Sequence, residues 1–98
     1  MTFSHAVPFS SQQLQTLASW GETRPFGLEV RIATDHEELD EVAEFFRLGQ
    51  NNPVYWITAV STGEIDILDA EGAVDVAAGL DHALQQVEQQ EAALISVA

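Results

Sequence analysis

The apolar positions of the chain alternate between helical and strand spacing. Phe9-Ser10-Ser11-Gln12-Gln13-Leu14 reads as a helix start. Ser10 can cap, Gln13 stands three positions later to close a capping box, and Phe9 and Leu14 occupy the two positions of a hydrophobic staple. Leu14, Leu17 and Ala18 share one face as far as about Trp20, and Gly21, a common C-terminal residue, is expected to end the helix. Glu22 to Pro25 reads as a loop. Phe26, Leu28, Val30 and Ile32 then alternate with Gly27, Glu29 and Arg31, the period-two pattern of a half-buried strand.

Thr34-x-x-Glu37 forms a second capping box and predicts a helix to about Leu48, with Leu39, Val42, Ala43 and Phe46 as its buried stripe. The run Gly49-Gln50-Asn51-Asn52-Pro53 is turn chemistry that ends it. Val54 to Val60 is aromatic and β-branched and reads as the central strand. Ser61-Thr62-Gly63 turns the chain into a second alternating strand, Glu64 to Asp69, with Ile65 and Ile67 inward, so the two strands form a hairpin. A last helix is expected from about Asp75 to Ala93. Val76, Leu80, Ala83, Leu84 and Val87 lie on its buried face, and Gln85, Gln86, Gln89 and Gln90 on its outer face. Leu94 to Val97 continues that helix or adds a short strand.

The expected order is therefore α-β-α-β-β-α. It implies one two-layer α+β domain over residues 1–98, with a three-stranded mixed sheet packed against helices. The strand–helix–strand unit is expected to be a right-handed crossover between parallel strands.

Composition narrows the class. A length of 98 residues and an apolar fraction of 46% suit one globular domain. No apolar run approaches the roughly 18 residues of a membrane span, and Met1 to Pro8 carries neither the basic residue nor the apolar run of a secretory signal. The absence of cysteine removes disulfides and thiolate chemistry and fits a cytoplasmic protein.

Charge changes the picture most. Sixteen Asp and Glu face three Arg and no Lys, a formal net charge of −13. Such a field repels nucleic acid and anionic membrane and attracts basic surfaces. It is also uneven. Glu22, Arg24, Glu29 and Arg31 cancel before residue 35. Six acids (Asp35, Glu37, Glu38, Asp40, Glu41, Glu44) then face Arg47 alone, and eight more (Glu64, Asp66, Asp69, Glu71, Asp75, Asp81, Glu88, Glu91) face no base.

Little in the chain suggests catalysis. His36 and Asp40 are four apart on the expected second helix, and Asp35, Asp40 and Glu44 could supply oxygen ligands. A catalytic zinc site usually takes three protein ligands, and His5 and His82 belong to distant segments. No calcium-loop pattern with its glycine occurs. There is no Gly-x-Ser-x-Gly elbow and no phosphate loop. With sixteen acids, carboxylate pairs are inevitable and point to no reaction. The expectation is a protein that is not an enzyme and has no catalytic residue, metal or cofactor.

The acidic segments instead suggest a binding surface. On the expected helix, Glu37, Glu38, Asp40, Glu41 and Glu44 form one arc opposite the buried stripe, with Phe45 and Leu48 inside it. Like charges at i and i+4 cost a few tenths of a kcal/mol each, and an apolar anchor ringed by acids resembles a hot spot with an electrostatic rim. On the hairpin, Glu64 and Asp66 share the outward face about 6–7 Å apart, and Asp69 and Glu71 follow in the turn. These eleven residues are the expected partner-binding set. The expected function is binding, and inhibition, of a basic nucleic-acid-binding protein by nucleic-acid mimicry, as phage-type and immunity-type inhibitors do. The alternative is a small cytoplasmic scaffold or regulatory interaction domain whose acidity reflects its host. Direct nucleic-acid and membrane binding are not expected. A homodimer would use the neutral N-terminal third or a sheet edge.

Overall fold

Residues 6–23, 25–35 and 40–97 are described in a computed structural model. The capping box at Ser10 opens the first helix as its sequence implies. The Gln13 amide donates to Ser10 Oγ, and the Ser10 amide donates to Gln13 Oε1 at 2.8 Å. This helix, α1, spans Ser11–Glu22. It runs through Gly21 and is ended by Thr23, whose hydroxyl donates to the Trp20 carbonyl and whose amide donates to that of Gly21. Pro25 follows, and its ring disfavours a further helical turn.

The sheet is larger than expected and wholly antiparallel. A two-residue strand β1 (Ala6–Val7) precedes α1. After α1 come β2 (Glu29–Asp35), β3 (Asp40–Phe46), β4 (Tyr55–Val60), β5 (Ile65–Asp69) and β6 (Val74–Ala77), and α2 (Leu80–Val97) closes the chain. Strands β2 to β6 form a meander in chain order, and β1 pairs with β4 at Ala59 and Val60, past the stretch of β4 that β3 occupies. The main order is thus α-β-β-β-β-β-α. The three-stranded mixed sheet in α-β-α-β-β-α order is wrong, and among the described strands there is no parallel pair.

Three local assignments change with it. The expected second helix is strand β3 over residues 40–46, paired with β2 from Glu29↔Phe46 to Asp35↔Asp40. The segment is rich in helix formers, but Ala43 and Phe45 also alternate with Val42, Glu44 and Phe46. Pairing with Val30 and Ile32 buries that alternate set. Residue 37, the acid of the second capping box, lies outside the described residues, and Thr34 is in β2. Next, residues 74–77 are strand β6, so Val76 is not on a helix face. The last helix starts after Gly79, where the Ala83 amide donates to the Gly79 carbonyl, and it includes 94–97. Finally, Phe26 is not in a strand. It sits in a 3-10 turn, Pro25–Gly27, at φ 55°, a left-handed conformation unusual for a bulky side chain.

Both helices pack on one face of the sheet. Leu28, Ala43, Phe45, Tyr55, Ile57, Ala59, Ile65 and Ile67 point to that face, and Leu17 of α1 and Ala83, Leu84 and Val87 of α2 close over them. Each large aliphatic or aromatic side chain buried this way contributes about 1.5–3 kcal/mol. Trp20 meets Phe45 edge-on, with ring centroids 5.4 Å apart.

Candidate functional site

With both helices on one face, the other face of the sheet carries no helix among the described residues. The register shows what it presents. Arg31, Glu44, Trp56, Leu68 and Val74 are successive cross-strand partners, one from each strand of the meander. At ordinary strand spacing this row spans about 19 Å. A neighbouring row brings Thr58, Asp66 and Val76 together. Period-two alternation causes the arrangement, since every residue between two core-facing positions must point here.

The face is largely apolar, with carboxylates set among the apolar side chains. Val74 and Val76 are 62% and 54% exposed, and Trp56 is half-buried. Phe46 is buried beneath the Arg31 guanidinium, which stands 4.6 Å from its ring centroid. Arg31 also pairs with Glu29 at 3.5 Å, an exposed contact of little energetic weight. Glu44 and Asp66 are half-buried near Trp56 and Thr58. Thr58 is fully buried, and its Oγ1 has no hydrogen-bond partner among the described residues.

The residues singled out from sequence scatter. Glu44 and Asp66 come onto this face, and Glu64 stands in the turn at its end, accepting a hydrogen bond from the Thr62 hydroxyl. Phe45 is not a surface anchor: it has no exposed area and belongs to the core. Glu41 points to the helix side, where its Oε1 accepts from the Phe9 amide at 3.0 Å. The Asp69 carboxylate accepts from the Glu71 and Ala73 amides, both at 2.9 Å, and so organises the β5–β6 turn in which Glu71 is exposed. Leu48 is 76% exposed in the turn after β3. Positions 37 and 38 lie outside the described residues, as does the side chain of Asp40. The continuous helical arc of acids therefore does not form, because its scaffold is a strand.

Sequence reasoning missed Trp56, Val74, Val76 and Arg31. The alternation of Val74-Asp75-Val76-Ala77 was the available signal for two of them. It also missed a polar cluster on the helix side. Glu91 of α2 is 6% exposed. Its carboxylate accepts from the Tyr55 hydroxyl at 2.7 Å and from the Arg47 guanidinium at 2.9 and 3.4 Å. Burial, and then the hydrogen bond to Glu91, push the Tyr55 hydroxyl up to about 12. The same carboxylate raises Arg47 above the usual guanidinium value. Neither group is poised for proton transfer near neutral pH. The cluster borders an open groove of about 440 Å³ shared with Val54, Asp69 and Leu94. Its evident role is to tie α2 to the ends of β3 and β4. No group of three or more His, Asp or Glu side chains that could hold a metal ion occurs among the described residues.

Compared with known proteins, the chain matches no family model, no curated protein and no solved structure. No helix is long and apolar enough to cross a membrane among the described residues.

Proposed function

We propose that the protein is a non-catalytic binding protein whose helix-free sheet face docks on a basic, nucleic-acid-binding protein and blocks it. One observation carries the reading. The face left open by both helices combines the exposed Val74 and Val76 and the half-buried Trp56 with the half-buried carboxylates Glu44 and Asp66. Large apolar groups on an open surface indicate a partner, and a chain of net charge −13 selects a basic one. The carboxylates would meet Lys and Arg that otherwise hold phosphates, and Trp56 with the two valines would supply contact that polyanion mimicry alone lacks.

The test is capture on the immobilised chain followed by affinity measurement across salt. Basic proteins should bind, weaken steeply with rising salt and be displaced by duplex nucleic acid. A variant combining Glu44→Gln, Asp66→Asn and Trp56→Ala should lose them while still folding. Equal capture by both proteins, or a partner indifferent to salt, would rule the reading out. A second reading, a scaffold domain held by apolar contact, draws on Val74 and Val76. It predicts salt-insensitive binding lost on Val74→Lys and Val76→Lys.

A further inference from the structure

The meander ends on β2, and no strand pairs with its outer edge among the described residues. Beside that edge runs a groove of about 590 Å³ between β2 and α1. Its apolar wall is Leu14, Ala18, Gly21, Val30 and Ile32. Four consecutive β2 residues, 29 to 32, line it although side chains of a strand alternate faces. The groove is therefore walled on that side by the strand's edge and its main chain as well as by the side chains of Val30 and Ile32. At Gly21 the helix lies close to the strand, since a Cβ there would stand 3.7 Å from the Val30 side chain.

A free strand edge next to an apolar groove against a helix is the geometry used to bind peptides by strand addition. The edge turns the amides and carbonyls of alternate residues outward, where no strand meets them among the described residues. The groove offers space for every second side chain of an added strand. Electrostatics select among occupants. The charged lining residues are Glu22, Glu29 and Arg31; Arg31 pairs with Glu29, and Glu22 stands at the C-terminal end of α1, where the last helix carbonyls add negative potential and the last turn carries no basic residue. That end repels a chain carboxyl terminus and attracts Lys or Arg.

We propose that the outer edge of β2 takes up an extended segment of a basic partner as an additional strand, with apolar side chains at alternate positions in the α1–β2 groove and a Lys or Arg at the Glu22 end. The site shares β2 with the open sheet face, but its variants, at Ala18 and Ile32, leave Glu44, Trp56, Asp66, Val74 and Val76 intact, so the two readings fail independently.

The test is selection of random twelve-residue peptides displayed on phage against the full-length protein, with affinities then measured on synthetic peptides. Enriched peptides should alternate apolar residues and carry a basic residue near one end. Ala18→Trp, which fills the groove from the exposed helix surface, and Ile32→Lys should each weaken them by at least about tenfold, and methylation of alternate peptide amides should do the same. Amide exchange in residues 29–33 should slow on binding. No enrichment would overturn the proposal, as would basic peptides that bind Ala18→Trp and Ile32→Lys as well as the native chain. Concentration-dependent dimerisation abolished by Ile32→Lys would overturn it in favour of a second copy.

Discussion

The Tyr55 hydroxyl donates a 2.7 Å hydrogen bond to the Glu91 carboxylate, joining the central strand to the last helix across 36 positions of sequence. Tyr55 is the sole tyrosine of the chain, so its ionisation can be followed without interference. Burial and Glu91 raise it to about 12, against an ordinary value of 10.0. A group raised in the folded state contributes stability below its unfolded value and loses it as pH climbs through the folded one. Tyrosinate absorbance in the native protein is therefore expected to rise near pH 12 rather than pH 10, with stability falling across that window. Glu91→Gln should move the midpoint downward. A native midpoint at the free-tyrosine value would contradict the buried bond.

The two partners of Glu91 are not equivalent. The Arg47 side chain is 38% exposed and that of Glu91 is 8% exposed. Arg47→Met leaves a buried carboxylate with only the Tyr55 hydroxyl, whereas Glu91→Gln leaves a guanidinium that water reaches. Arg47→Met should cost about 2–4 kcal/mol and Glu91→Gln about 1–2 kcal/mol. Urea unfolding of both variants gives the order; a larger loss for Glu91→Gln would reverse the argument.

Thr58 is the opposite case, a buried hydroxyl with no bond among the described residues. Valine keeps its branched shape and removes the unsatisfied oxygen. Thr58→Val should raise stability by about 1 kcal/mol, seen as a higher melting temperature. A destabilised variant would mean that the hydroxyl has a partner, water included.

Phe45 and Trp56 separate core from surface. Phe45→Ala removes a fully buried ring in contact with Trp20 and should cost about 3–5 kcal/mol. Trp56→Ala, on the half-buried open face, should cost about 1 kcal/mol and weaken partner binding instead. Denaturant midpoints and binding assays on the same pair of variants check this. Comparable stability losses at the two positions would show that the open face is covered in the free protein.

The sequence by itself determined the elements whose signals are local. The Ser10 capping box, the Ser61-Thr62-Gly63 hairpin turn and the inward Ile65 and Ile67 all depend on neighbours a few residues away, and all stand in the structure. It also determined the net acidity and the balance of charge before residue 35. Only the tertiary structure decided the fate of residues 40–46, because their apolar positions satisfy helical and strand periods alike and pairing with β2 selects between them. The same choice moved Phe45 from surface to core and dispersed the expected acidic arc. It also created the open sheet face and set Tyr55 and Arg47 against Glu91. Contacts between residues 36 and 44 positions apart leave no periodic trace in a sequence, since they arise only when separate elements pack.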